Sequence, residues 1–174
     1  LRTNEQIMML RNEKVLDLAL NTALRERPAV ALWLLSKTKF RDDTATYHWS
    51  RANHPWGRTT LKVINPKTGA IELIEREGET DVLVVFNTRA GRVALHIENK
   101  LASGTFTPFQ PELYASRAEA WKNKPKYESY EHWATVLVAP QSFYNRFSVQ
   151  ASKFGKFVSH EELAAHIPEF DAAH

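Results

Sequence analysis

Gly78-Glu79-Thr80-Asp81-Val82-Leu83-Val84-Val85-Phe86 and, after a short break, Arg92-Val93-Ala94-Leu95-His96-Ile97-Glu98-Asn99-Lys100 are the stretches that decide how this chain is read. Both are runs of Val, Leu and Ile of the length of a buried strand. The break between them, Asn87-Thr88-Arg89-Ala90-Gly91, is short and ends in Gly, as a hairpin connection does. Side chains alternate across a strand, so Val93, Leu95 and Ile97 take one face while His96, Glu98 and Lys100 take the other. Asp81, Leu83 and Val85 likewise share a face, and pairing of the two strands brings Asp81 beside Glu98. Carboxylates and an ammonium on a buried sheet are costly unless they are paired or bind a metal.

Working outward, the chain from Asn4 to about Phe40 is helical in pattern. Ile7, Met8, Leu10, Val15, Leu16, Leu18, Leu20 and Leu24 recur at three- and four-residue steps. Thr3 or Asn4 caps its start, and Pro28 opens a second helix reaching Lys37. Residues 60–64 and 70–74 read as two strands joined by the turn Asn65-Pro66-Lys67-Thr68-Gly69. Glu72, Glu75, Glu77 and Glu79 then form a row of acids that reads either as a solvated edge or as a negative field beside a cation site. Beyond Lys100 comes a loop, then a helix of about 110–122 with Leu113, Ala115, Ala118 and Trp121 on its periodic positions. Trp133 to Ala139 is a short buried strand stopped by Pro140. The stretch from Gln141 to Phe157 is aromatic-rich, and Ser159 caps a last helix.

The expected organisation is one α/β domain over residues 1–174, with a helical part at 4–40, the hairpin at 78–100 and the helix at 110–122. A chain of 174 residues is long enough to bury a core without staples. It has no Cys, which excludes disulfides, thiolate zinc sites and cysteine nucleophiles, and fits a reducing, cytoplasmic compartment. No apolar run has the length of a bilayer span, and no signal-peptide pattern opens the chain. The first residue is Leu rather than Met, as in a trimmed chain. The formal charge of +3 permits a polyanionic partner without demanding one.

Residues 37–62 carry Lys37, Lys39, Arg41, Arg51, Arg58 and Lys62 against Asp42 and Asp43, with Tyr47, His48, Trp49, His54 and Trp56 among them. Cations interleaved with aromatics suit a phosphate backbone with bases stacked alongside. The alternative is a long ordered loop whose aromatics cover the core and whose cations are solvated. A second basic group, Arg117, Lys122, Lys124 and Lys126, lies on and after the 110–122 helix.

Two adjacent carboxylates repel each other unless a cation or proton intervenes. Oxygen donors favour Mg2+ or Mn2+, and the main-chain carbonyl of Asn99 is a candidate third ligand beside Asp81 and Glu98. A metal held there can bind a phosphodiester oxygen and lower the pKa of a bound water. Lys100 can then orient or deprotonate the water or stabilise the phosphorane. By spacing alone, Glu98-Asn99-Lys100 reads as a surface ion pair, since Glu-x-Lys is common, and Asp81 on the preceding strand is what shifts the reading toward a site.

The arrangement resembles the PD-(D/E)XK nuclease superfamily, whose motif is an acid on one core strand and (D/E)-x-K on the next. Here it reads Thr80-Asp81, then Glu98-Asn99-Lys100, with Thr80 in the place of the family's Pro. Gln110 and Tyr114 resemble the Q-x-x-x-Y helix of exonuclease-like members; at i, i+4 they share a face, which Arg117 extends. The resemblance implies a restriction-endonuclease-like central mixed sheet flanked by helices. It also implies a divalent-metal-dependent nuclease acting on DNA in preference to RNA. Asp81, Glu98, Lys100 and Gln110 would be catalytic, Asp81, Glu98 and Asn99 would bind Mg2+ or Mn2+, and Tyr114, Arg117, Arg51, Arg58 and Lys122 would contact nucleic acid. Many members add a first-helix acid. Glu5, Glu13 and Asp17 are the candidates, with Asn21 or Thr22 standing as non-acidic occupants of that place.

The alternatives are an inactive nuclease-fold module that binds nucleic acid or a protein, and a plain interaction domain. His160-Glu161-Glu162-Leu163-Ala164-Ala165-His166 is not a zinc-protease helix, because its two His lie about 240° apart around the axis. There is no G-x-S-x-G elbow, and the six glycines form no phosphate-binding loop.

Overall fold

Apolar runs without alternation need cover on both faces, and Val82 to Phe86 are buried throughout for that reason. The computed structural model describes residues 4–52 and 56–173, with side chains for all of these except 5–11, 56 and 172–173. Two N-terminal helices, α1 (Asn4–Glu26) and α2 (Pro28–Ser36), are followed by strands β1 (Thr46–Arg51), β2 (Trp56–Ile64), β3 (Ile71–Glu79), β4 (Val82–Thr88) and β5 (Gly91–Asn99). Then come α3 (Gln110–Trp121), β6 (His132–Ala139), α4 (Gln141–Arg146), α5 (Ser148–Ala151), β7 (Lys156–Ser159) and α6 (His160–Ala164).

Five strands form one sheet in the order β1-β4-β5-β6-β7. β1 pairs antiparallel with β4 and β4 antiparallel with β5, while β5, β6 and β7 are mutually parallel. A parallel pair needs a crossover, and α3 supplies the one between β5 and β6. The class is therefore α/β, with a central mixed sheet flanked by helices. On one face, Leu16, Leu20 and Leu24 of α1 and Leu34 and Leu35 of α2 pack on Val82, Val84, Phe86, Leu95 and Ile97. On the other, Trp121 of α3 meets Leu83, Val85, Ala94 and Tyr130, and Tyr114 meets Leu137 and Phe154. The hairpin alternates as expected, and its turn is tighter than Asn87–Gly91, because Thr88 already pairs with Gly91. Gly91 has φ 106°, a conformation glycine adopts without strain.

Three strands differ from the sequence expectation. β1 lies inside the basic segment, where Tyr47 and Trp49 pack against the two cores and hold it to the sheet edge. β3 continues through the acidic row to Glu79, because each acid has a rung opposite on β2 and the rows of side chains remain in water. The short strand β7 ends the aromatic-rich stretch as the last member of the parallel set. β2 and β3 form their own two-stranded arm, mounted on α3. Gly57 and Gly78 face each other across it. A Cβ on Gly57 would collide with the Trp121 ring, and one on Gly78 with the Arg117 guanidinium, so paired glycines let the arm seat on the helix. Ser159 caps α6 in a capping box with Glu162. Among the described residues no helix is long and apolar enough to cross a membrane.

Candidate active site

The register pairs Val82 with Ile97, so Asp81 and Glu98 leave the ends of adjacent strands side by side. Asp81 Oδ2 accepts the Asn99 N–H at 2.8 Å. Glu98 is 3 % exposed, and its Oε1 meets Lys100 Nζ at 2.7 Å and the Gln110 Nε2 donor at 2.6 Å. Gln110 is aimed by its other end, since its Oε1 accepts the Thr107 N–H at 3.1 Å. Tyr114, one turn along α3, accepts the Asp81 N–H at 3.2 Å and donates to the Ile97 carbonyl at 3.4 Å. Residues from two strands and one helix thus converge on a single pair of carboxylates.

The first helix adds to this group. Asp17 is buried, and its Oδ1 accepts Asn99 Nδ2 at 3.1 Å; the Asn99 Oδ1 in turn accepts from His160 Nε2 at 3.0 Å. Glu13, four residues earlier on the same face, accepts from the Leu101 backbone and lies within the field of Lys100 and Glu98. Asn21, a turn further on, is taken up instead by Ser50 of β1. The spacing of Glu13 and Asp17 was the available signal. What singles them out is the docking of α1 over the end of β5, which no local pattern encodes.

Burial and mutual repulsion dominate the electrostatics. Burial, with the charges of Glu98, Glu13 and Glu79, pushes Asp17 up to about 8 despite the bond from Asn99. Asp81 is held well above the carboxylate range by burial and by Glu98 and Asp17, against the Asn99 N–H and Lys100. Glu13 is raised too, chiefly by burial. Burial alone would lower the Lys100 ammonium, but Glu98, Asp81 and Glu13 outweigh it and leave its pKa above that of an ordinary lysine. Among the described residues, Glu13, Asp81 and Glu98 share the field of Lys100, and Asp17 and Glu79 add to the negative charge around them.

Carboxylates gathered in this way are hard oxygen donors, the type that Mg2+ or Mn2+ takes. Among the described residues, however, no three His, Asp or Glu side chains stand close enough together to form a finished metal cage. The match to a metal is one of donor type and charge, centred on Asp81 and Glu98.

The other expected site residues fall into different places. Asn99 reaches the site through its N–H and its amide. Tyr114 and Arg117 are 1 % and 4 % exposed, so the expectation that they touch nucleic acid is corrected: both lie beneath the site. The Arg117 guanidinium sits 4.7 Å from the Tyr114 ring centroid and donates to Thr80 Oγ1 at 3.4 Å. A buried chain continues from there. Tyr130 OH donates to the Ala118 carbonyl at 2.5 Å, so it accepts from His96 Nε2 at 3.0 Å, which leaves His96 Nδ1 to accept from Thr80 at 3.1 Å. Burial and the Arg117 charge push the His96 pKa down to about 3, in keeping with this neutral tautomer. Thr80 therefore has an evident partner, which a Pro at that position would not.

Arg51 is exposed on the edge strand β1. Arg58 pairs with Glu75 and Glu77 at 3.4 Å each, and Lys122 with Glu119 at 2.7 Å, exposed pairs that contribute little and exchange readily. The side chains of Glu5 and Trp56, and all of His54, lie outside the described residues. No protein-family model matches the chain, and neither a curated protein nor a solved structure shows significant similarity to it.

Proposed function

We propose that this protein is a divalent-metal-dependent nuclease that hydrolyses phosphodiester bonds, with DNA as its substrate, built on the PD-(D/E)XK plan. The observation that carries the reading is the convergence of Asp81, Glu98, Lys100 and Gln110, from β4, β5 and α3, on one acidic centre completed by Glu13 and Asp17 of α1. Burial and mutual repulsion raise the carboxyls of Glu13, Asp17 and Asp81, which is the electrostatic situation that a bound cation would relieve.

Asp81 and Glu98 would hold Mg2+ or Mn2+, with the Asn99 carbonyl as a further oxygen donor. The ion supplies charge to offset the phosphorane and to acidify a water. Gln110 fixes the Glu98 carboxylate, and the Asn99 N–H fixes that of Asp81, so both oxygens are oriented before substrate arrives. The raised pKa of Lys100 keeps it an ammonium at neutral pH, which suits charge stabilisation and water orientation better than proton abstraction. Tyr114 and Arg117 act from below, by holding the Asp81 backbone and the start of β4.

The test is nicking of supercoiled DNA with Mg2+ or Mn2+. Activity should vanish in EDTA and in Lys100→Ala and Asp81→Asn proteins that still melt cooperatively. Cleavage that survives both substitutions would defeat the proposal. A second reading, a non-catalytic module on the same fold, is favoured by the commitment of Glu98 Oε1 to both Lys100 and Gln110. It predicts salt-dependent DNA binding that is indifferent to metal and to Lys100.

A further inference from the structure

The residue immediately before Gln110 is Phe109, and it is doubly unfavourable where it stands. Its backbone is left-handed, φ 60° and ψ 18°, a region that bulky residues rarely occupy and that tends to mark functional positions. Its side chain is also 42 % exposed. The other described non-glycine residues with positive φ are Asn123, Glu128 and Ser129, all polar.

The backbone conformation has a clear cause. Gln110 N–H bonds the Thr107 carbonyl at 3.1 Å, and the Thr107 N–H bonds Gln110 Oε1 at 3.1 Å. This tight turn returns the Gln110 amide to Glu98 at 2.6 Å. Gly or Asn would make the same turn without strain. The aromatic ring is explained neither by the turn nor by the core. Phe106, three residues earlier, enters the aromatic cluster at 5.1 Å from Phe143 and 5.9 Å from Phe154, whereas Phe109 remains in water.

The loop that leads to Phe109 carries Ser103, Thr105 and Thr107 as exposed residues. The loop is held from below by Arg146, which bonds the Gly104 carbonyl at 2.7 Å while its guanidinium lies over the Phe147 ring. An exposed π-face in a loop of exposed hydroxyl residues, one residue from the amide that bonds Glu98, is the chemistry that binds an unpaired nucleobase by stacking while its phosphates follow the polar loop.

We infer that Phe109 is a base-stacking platform at the mouth of the site, and that the strand entering it is single-stranded or frayed DNA. This rests on the nuclease reading and narrows its substrate. A stacked base next to the centre brings the following phosphate toward Asp81 and Glu98 and fixes its orientation.

The test measures fluorescence anisotropy in EDTA, where no cleavage occurs, with a labelled oligothymidylate and an abasic strand of equal length and charge. The full chain should bind oligothymidylate about ten-fold more tightly than the abasic strand. Phe109→Asn should erase that preference while melting no lower than the parent, because Asn tolerates the left-handed backbone; Phe109→Trp should retain it. Equal binding of the two strands by the parent, or an undiminished preference in Phe109→Asn, overturns the platform and leaves the nuclease reading standing. Absence of binding to either strand removes DNA as the ligand, and the platform with it.

Discussion

Asp17→Asn should make the protein more stable at alkaline pH, although it alters a buried, hydrogen-bonded side chain. Asn is isosteric and can still accept from Asn99 Nδ2 through its Oδ1, so the substitution removes a charge and little else. In the wild type, the Asp17 carboxyl titrates at about 8 when folded, against an ordinary 3.8. Between those limits the unfolded chain holds fewer protons than the native one at this residue, so stability falls as pH rises from about 4 to about 8. At about 1.4 kcal/mol per pH unit the ceiling is on the order of 6 kcal/mol. Burial is the largest cause of that shift, and the charges of Glu98, Glu13 and Glu79 add to it; relaxation and water entry around the ionised carboxylate return part of the cost, so the substitution should recover about 2 kcal/mol. Urea unfolding at pH 4.5 and pH 8.5, without divalent ions, should show the two proteins nearly equal at the lower pH and the variant ahead at the higher. Mg2+ should raise the wild type more than the variant at pH 8.5. A variant less stable than the wild type at pH 8.5, or a pH slope that is unchanged, would refute the account of this centre as a strained concentration of charge.

Removing the Gln110 amide with Gln110→Ala should lower Mg2+-dependent cleavage by roughly ten- to a hundred-fold without loss of fold, read by nicking rates and circular dichroism. Tyr114→Phe strips the acceptor from the Asp81 N–H and should cost about 1–3 kcal/mol in urea unfolding; no change would mean the bond contributes nothing. Gly57→Ala forces a methyl into the Trp121 ring and should cost about 1–3 kcal/mol, more than Gly78→Ala, whose obstacle is a flexible guanidinium. His96, with its pKa down at about 3, should show the neutral Nε2–H pattern in nitrogen-detected NMR at pH 5. An imidazolium there would contradict the bond order from Thr80 to Tyr130. Because the unfolded imidazole protonates below about 6.5, this residue contributes stability above that pH which is lost as pH falls toward 3.

The hairpin at 78–100 was legible because strand alternation is local: it placed Glu98 and Lys100 on one face, and the pairing placed Asp81 beside them. Gln110 and Tyr114 were legible for the same reason, as an i, i+4 pair on one helix. What the pattern did not convey was depth. Tyr114 and Arg117 look like ligand-contacting residues by type and spacing, yet the arm lies over Arg117 at Gly78 and Tyr114 is packed against Leu137 and Phe154. Nor did it distinguish Glu13 and Asp17 from Asn21, since that choice depends on how a distant helix lies across the sheet. β1 was hidden for a different reason: its strand carries Tyr, His, Trp and Ser among cations, and only its edge position, with partial cover from both cores, makes such a composition workable.

The arm of β2 and β3 is a cantilever. Its paired length is nine residues, about 30 Å at the usual rise per residue, and its root is the short link Thr80-Asp81 into β4. Among the described residues, the arm is seated on α3 through Trp121 and Arg117 at Gly57 and Gly78 and through the Ser116 hydroxyl, which donates to the Thr60 carbonyl at 2.9 Å. The tip, around the exposed Ile64 and Ile71, thus stands well beyond its attachments to α3, while the other end of the arm runs directly into Asp81.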